Sequence, residues 1–317
     1  MRSIHYGVVT SLLCILFLTA AIAPWTIKWL GTRGFLVLSL PLAGGAIYTG
    51  AHLVRLALAN AIGETSAITQ PAVTHFSWMP IIHLGVNLRL GPIESLFGTL
   101  VLTIGFLVLV YCSGYFVNPP PGKRRRIGSF AAQMVAFAAA MYGLVISDNI
   151  MLMFVFWEIT SVLSFLLVGY YAERASSRRA AGQALLVTTL GGLIMLVGIV
   201  LMGVTTGFWN FSDLTAPGAL TTSQLNSTAV STAAILLVIG ALSKSAIAPF
   251  HFWLPGAMAA PTPVSSFLHS AAMVKAGVFL VARLAPTFNT TSAWQPIIIP
   301  LGPVSYTHLT LPTKRIV

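Results

Sequence analysis

The feature that most limits this chain is a succession of apolar stretches, each long enough to cross a lipid bilayer. About 20 helical residues span the ~30 Å of hydrocarbon. Eight windows meet that length: Val8–Lys28, Phe35–Asn60, Ser95–Val117, Ile127–Ser147, Asn149–Tyr171, Gln183–Val204, Ala229–Trp253 and Pro263–Ala285. A ninth begins near Trp294 and does not finish. The runs are continuous, whereas a membrane strand alternates apolar and polar side chains over about ten residues. The fold class expected is therefore all-α, a polytopic membrane helix bundle. Only 7% of the residues are charged, against roughly 25% in a soluble domain.

The first window needs one check. Arg2, the run Val8–Ala23 and the triplet Ala21-Ile22-Ala23 imitate a secretory signal with its small-residue cleavage site. Pro24 directly after that site argues against cleavage, so the run is read as a span. The second window is the weakest, because His52 and Arg55 fall in its last two turns; Arg55 can snorkel to the interface. Two connections are long and polar, residues 63–94 and 205–227, and the rest are short, so consecutive helices should be antiparallel neighbours.

The formal net charge is +11, yet the basic residues lie between apolar segments and not on a water-soluble face, which excludes a nucleic-acid partner. Lys28, Arg33, Lys123 to Arg126, Arg174, Arg178 and Arg179 collect on one side; Arg2, Arg55, Arg89 and Arg283 collect on the other. Lys and Arg accumulate in cytoplasmic loops, so the N-terminus should face out. Cys14 and Cys112 both lie within apolar runs and read as packing residues, without disulfide or zinc spacing.

Three ionisable residues fall well inside windows: Glu158 in FVFWEITSVLSF, Lys244 in LSKSAIAPF and Lys275 in SAAMVKAGVF. A charge at the centre of a membrane helix costs about 2.5–3.5 kcal/mol on insertion scales. All three should therefore face the bundle interior and form a polar layer near the midplane. Desolvation and neighbouring cations make a buried lysine easier to deprotonate, and an adjacent carboxylate has the opposite effect, so such a layer suits proton transfer. The competing reading is a purely structural ion pair, such as Glu158 with Lys244, which leaves one lysine unpaired. Glu94 and Asp148, at window edges, read as interfacial.

Pro249 follows Lys244 by five residues. A proline cannot donate to the carbonyl four residues back, so a helix crossing here should kink or break just after Lys244. At membrane depth such a break is tolerated only beside protein or a water-filled cavity, and discontinuous helices build ion sites near the midplane of several transporters. His251 lies in the broken segment and can relay protons or serve an interfacial structural role. His269 precedes Lys275 by six residues, on a different helical face. No His, Cys or carboxylate cluster has metal-ligand spacing, and neither a Gly-rich phosphate loop nor a nucleophile elbow is present. No cofactor or metal is expected, and the chain reads as a transporter component with no catalytic centre of its own.

The runs FVFWEITSVLSFLLVGY (Phe154 to Tyr170), RRAAGQALLVTTLGGL (Arg178 to Leu193) and SKSAIAPFHFWLPGAMAAPTPVSSFLHSAAMVKAGVFLVARLAP (Ser243 to Pro286) resemble the antiporter-like module shared by Mrp-type cation/proton antiporters and the proton-pumping subunits of respiratory complex I. Within that superfamily the match is nearest to the large A-type subunit of Mrp antiporters, because MVKAG, LPGAM and PFHFW are Mrp-like. The resemblance implies that Glu158 corresponds to a fifth-helix glutamate, Lys244 to the lysine of a broken seventh helix and Lys275 to an eighth-helix lysine. His251 and His269 match histidines of the same motifs. The Gly91-Pro92 pair departs from the family's common Asp-Gly.

The resemblance further implies a core of 14 helices, of which residues 1–126 carry helices one to three, 127–285 the first five-helix proton-translocating unit and 286–303 the start of helix nine. VSYTHLTLPTKRIV, over residues 304–317, abandons span-like composition and reads as a non-native tail on an N-terminal fragment. The function so implied is that of one subunit of a sodium/proton antiporter in the prokaryotic plasma membrane, working with other Mrp subunits in a hetero-oligomer. The alternatives are a proton-pumping subunit of NADH-quinone oxidoreductase or of a membrane hydrogenase, and a membrane scaffold whose buried pair only sets helix register.

Overall fold

A computed structural model describes residues 2–62, 72–74, 77–116, 124–270, 272–289, 291 and 294–300. The last fourteen residues, read above as a foreign tail, lie outside them. The helices are α1 (Arg2–Leu30), α2 (Gly34–Ile62), α3 (Pro92–Tyr115), α4 (Arg124–Ile146), α5 (Ile150–Val168), α6 (Ala175–Thr206), the short α7 (Phe211–Leu214) and α8 (Thr222–Leu225), α9 (Thr228–Lys244), α10 (Trp253–Ala257), α11 (Thr262–Ser270) and α12 (Met273–Phe288). Residues 294–300 are also helical. Among the described residues six stretches are long and apolar enough to cross a membrane; one of them, Gly7–Ile62, takes in both α1 and α2. The chain is an integral membrane protein.

Helix α4 forms the centre. From Phe137 to Ile146 almost every described side chain is buried to 1% exposure or less, or is glycine. Its run of alanines lets neighbours come close, and α1, α3, α5 and α12 all pack against it. Large apolar side chains such as Leu18, Trp29, Ile47, Leu58, Leu186, Val197 and Val204 point outward instead, as lipid-facing positions should.

α6 and α9 meet through missing side chains. A Cβ on Gly198 would lie 2.9 Å from Leu236, and one on Gly240 would lie 2.5 Å from Met195. Small residues that admit a neighbouring backbone are the usual device of membrane helix pairs, where burial of apolar surface from water cannot drive association.

The described part of the long connection before α3 is not irregular. Four short strands, β1 (Ala72–Thr74), β2 (Ser77–Met79), β3 (Leu84–Gly85) and β4 (Leu88–Leu90), pair antiparallel as β1 with β4 and β2 with β3. This segment is stitched to the α4–α5 turn by the Asp148 amide, which donates to the Asn87 carbonyl at 2.7 Å. The 207–211 loop joins from the other side: the Ile150 amide donates to the Trp209 carbonyl at 2.9 Å, and the Phe211 amide to the Asp148 carbonyl at 2.8 Å.

The break expected after Lys244 is present, and α9 ends at that residue. It is not a kink in a continuous helix. Ala246 takes a left-handed φ of 52°, and the Ile247 amide reaches back to the Leu242 carbonyl at 3.1 Å, the six-to-one bond of a Schellman closure. Pro249 follows as the residue before a 3₁₀ turn over Phe250–Phe252. The eighth window, read as one span, is also interrupted: α11 stops at Ser270 and α12 starts at Met273. No proline marks that second break.

Candidate functional site

The site is built on one face of α5. The Asn149 side chain caps this helix by accepting from the Leu152 amide at 2.9 Å, which fixes its register from the first turn. Trp157, Thr160, Ser161 and Ser164 recur at helical spacing and are all buried. Apolar side chains would make this face ordinary packing; the hydroxyls of Thr160 and Ser161 and the Trp157 carbonyl make it an acceptor surface.

Lys244, the last residue of α9, projects into that surface and is fully buried. Its ammonium donates to the Trp157 carbonyl at 2.6 Å, to Thr160 Oγ1 at 2.5 Å and to Ser161 Oγ at 3.1 Å. The nitrogen also lies 4.5 Å from the centre of the Trp157 ring, a cation–π contact in a water-poor setting. Every donor on the ammonium therefore has an acceptor, and none of the acceptors is charged.

Glu158 occupies the adjoining face of α5, half-buried, and interacts electrostatically with Lys244. Among the described residues no ion pair within 4.0 Å joins the two. Glu158 Oε1 is buried without a hydrogen-bond partner and points at α6, where a Cβ on Gly192 would stand 2.0 Å from it. The next residue along, Gly191, gives the same room to Ser243, whose Oγ would be 1.7 Å from an added Cβ. The paired glycines of the GGL run thus seat one side chain from α5 and one from α9.

The backbone freed by the break is bound again. The Trp253 indole donates to the Ser243 carbonyl at 3.0 Å, and Ser245 Oγ donates to the Val274 carbonyl at 2.6 Å. His251 lies in the 3₁₀ turn, half-buried. His269 sits in the last turn of α11 with its ring 6.4 Å from that of Trp253, and both of its ring nitrogens are buried without a hydrogen-bond partner.

The structure brings Glu158 and Lys244 together. It does not bring Lys275 to them: that side chain, in the first turn of α12, is exposed on the outer surface of the chain. The expected layer of three inward-facing charges is a pair plus one outward lysine in this structure.

A second buried charge cluster escaped the sequence reading. Arg283 Nη2 lies 2.9 Å from Asp148 Oδ1 and 3.3 Å from Glu94 Oε1, and Nη1 donates to the Ser147 carbonyl at 2.9 Å. Asp148 also accepts from the Ser212 amide at 3.1 Å and from the Ser212 hydroxyl. Arg89 Nε stands 3.7 Å from Glu94, completing the row. Glu94 and Asp148 are 3% and 0% exposed, so at the ends of their windows they are buried inside the protein. The signal available beforehand was that both acids and Arg283 fall on the same side of the membrane in the expected alternation of the windows. Beside this cluster, His83, Asn87, Asn149, Trp209, Asn210 and Asp213 line an open polar pocket of about 500 Å³.

The family described as NADH:quinone oxidoreductase/Mrp antiporter, TM, matches residues 147–310. The chain is 43% identical over 230 residues to a probable K⁺/H⁺ antiporter A/B subunit from Rhizobium meliloti (strain 1021), a match that covers 72% of this chain and 22% of that protein. It is 38% identical over 261 residues to the A1 subunit of a Na⁺/H⁺ antiporter from Staphylococcus aureus, covering 82% of this chain and 30% of the relative. The solved structure of the Mrp complex from Dietzia sp. DQ12-45-1b superposes with a TM-score of 0.78 at 33% identity, covering 93% of this chain and 30% of the matched one. The chain thus spans less than a third of the length of these relatives. It belongs to the NADH:quinone oxidoreductase/Mrp antiporter transmembrane family.

Proposed function

We propose that this chain is part of the large A-type subunit of an Mrp antiporter, exchanging protons for a monovalent cation, with Na⁺ as the assigned ion. In this reading Glu158, Lys244 and Lys275 hand protons across the membrane midplane, with His251 and His269 beside the break at Pro249 as further stations. The observation that carries the reading is the wholly buried Lys244 ammonium at the end of a broken helix, close to a carboxylate yet not paired with it. An ion pair that served only to hold helices in register would be closed. Here the carboxylate keeps a buried oxygen without a partner, which leaves the pair free to close and open.

Lys275 enters as the outward station. A lysine exposed to hydrocarbon near the middle of a span is costly, so its face of α12 is assigned to contact with further protein, in a longer chain or in other Mrp subunits. Residues 127–285 act as the first five-helix translocating unit on this view, behind helices one to three in residues 1–126. The membrane is the prokaryotic plasma membrane, with the N-terminus outside, because the basic loops collect at the other end. The names of the two relatives support antiport over a quinone oxidoreductase; one is named for K⁺ and the other for Na⁺.

The test is proton movement in vesicles holding the complete complex, driven in turn by Na⁺ and by K⁺. Exchange should be sensitive to ionophore and lost in Lys244→Ala at unchanged complex abundance. Wild-type exchange in that variant would end the proposal.

A further inference from the structure

Three neutral acceptors hold the buried ammonium, and their arrangement is specific. Positions 157, 160 and 161 are related as i, i+3 and i+4, so they share one strip of α5. The Thr160 and Ser161 hydroxyls each donate a hydrogen bond to the Trp157 carbonyl, at 2.7 and 3.1 Å. Their lone pairs are thereby turned toward Lys244, and the same carbonyl takes the third ammonium donor at 2.6 Å. Ser and Thr often bond their own helix in this way. Receiving a lysine from another helix at the same time is the unusual part.

The carboxylate nearby is left over. Glu158 is the very next residue after Trp157, its inner oxygen has no hydrogen-bond partner, and Gly192 leaves it space against α6. Two places for one ammonium therefore adjoin each other on α5: a neutral one, occupied, and a charged one, not engaged within 4 Å.

We propose that Thr160 and Ser161 are positioning residues that form a neutral dock for the Lys244 ammonium, holding it off Glu158 until the carboxylate draws it across. The inference rests on the proton-relay reading above and names the second resting place that reading requires. Without a dock of comparable strength, the lysine would stay locked to Glu158 and the pair would stop cycling. Hydrogen bonds to a charged group contribute enough that losing even one moves an equilibrium by about tenfold or more. The hydroxyls thus set how readily the lysine leaves the carboxylate.

The experiment uses the full-length protein in the assembled complex, in vesicles. Thr160→Val with Ser161→Ala keeps side-chain volume nearly constant and removes both hydroxyls. The expected result is a fall of about tenfold in exchange turnover, with the KM for the cation unchanged within about twofold. The swap Thr160→Ser with Ser161→Thr keeps both hydroxyls and should restore turnover to near wild type. Lys244→Met is the reference arm. If Lys244→Met is inactive while the double variant exchanges at the wild-type rate, the dock is wrong and the relay stands; if Lys244→Met itself exchanges normally, the relay is wrong. A swap as impaired as the double variant overturns the dock as well, since packing would then explain both. Should the double variant fail to assemble, each single variant, Thr160→Val and Ser161→Ala, is expected to lose turnover at normal abundance, and wild-type turnover in both would refute the assignment.

Discussion

Ser245 Oγ donates to the carbonyl of Val274 at 2.6 Å, tying the residue after the buried Lys244 to the residue before the exposed Lys275. The break in α9 and the start of α12 are therefore one joint and not two separate irregularities. The joint is possible because Gly277 has no side chain: an added Cβ would lie 2.1 Å from the Ala241 carbonyl and 2.3 Å from Ser245 Oγ.

Gly277→Ala should force α9 and α12 apart and break the Ser245–Val274 bond. Overpacking of this kind costs about 1–3 kcal/mol, read as a lower unfolding midpoint of the purified protein. Gly182→Ala is the control, since nothing lies within 4 Å of its added Cβ. On α6 that change should be neutral or stabilise by up to about 1 kcal/mol, because alanine is the better helix former. Equal losses in both variants would show that the joint is not the cause.

Gly192→Ala places a methyl group 2.0 Å from Glu158 Oε1, so the carboxylate must move. Alone, the variant is expected to lose about 1–3 kcal/mol of stability and most of its exchange. In a Glu158→Ala background the same change meets an empty site and should be tolerated. A double-mutant cycle measures this directly: the penalties should be non-additive by at least about 1 kcal/mol. Additive penalties would mean that Gly192 is small for the sake of some other neighbour.

The spans were legible because a bilayer demands a long apolar run whatever the tertiary fold, and α9 could be expected to stop at Lys244 because a lysine and a proline in one run violate two rules at once. The interruption between Ser270 and Met273 had no such mark. SAAMVKAG is locally a good helix sequence, and the break shows only in the fold, where the Ala272 amide reaches the Phe267 carbonyl at 3.2 Å. Thr160 and Ser161 were unreadable as lysine partners for a related reason: hydroxyls in membrane helices ordinarily bond their own backbone, and the second bond comes from a residue more than eighty positions away. Lys275 was expected inside because a midplane charge should be covered, a rule that concerns the whole assembly and not the surface of one chain. The strands before α3 are two or three residues long, too short for alternation to show.

Trp253→Phe keeps a six-membered aromatic ring but removes the pyrrole with its N–H donor, leaving a small void and the Ser243 carbonyl without its bond at 3.0 Å. A buried acceptor left unsatisfied costs about 1–3 kcal/mol. The effect should be local, because Trp253 belongs to the segment after the break while Ser243 belongs to the helix before it. Hydrogen exchange should quicken over residues 242–250 and stay unchanged in α4. Uniform quickening would point to global destabilisation instead.

Arg283 carries the largest expected penalty. Its guanidinium is 4% exposed and is surrounded by Asp148, Glu94 and the Ser147 carbonyl, with the Phe211 ring 4.3 Å away on one face. Removing it leaves two buried carboxylates facing each other, and breaking a buried ionic group in this way costs about 3–5 kcal/mol. Arg283→Met should therefore reduce the folded protein recovered from membranes. Arg283→Lys should rescue only in part, because an ammonium cannot reproduce the planar fork that reaches Asp148 and the Ser147 carbonyl together. The decisive variant removes the three fully buried charges together: Arg283→Met with Glu94→Gln and Asp148→Asn leaves Arg89, whose side chain is 22% exposed, as the remaining ion of the row. If the cluster acts as a structural clasp between α3, the α4–α5 turn and α12, this triple variant should recover stability relative to Arg283→Met and support exchange. If the triple variant is as stable as wild type but inactive, the cluster takes part in transport, and the clasp is refuted.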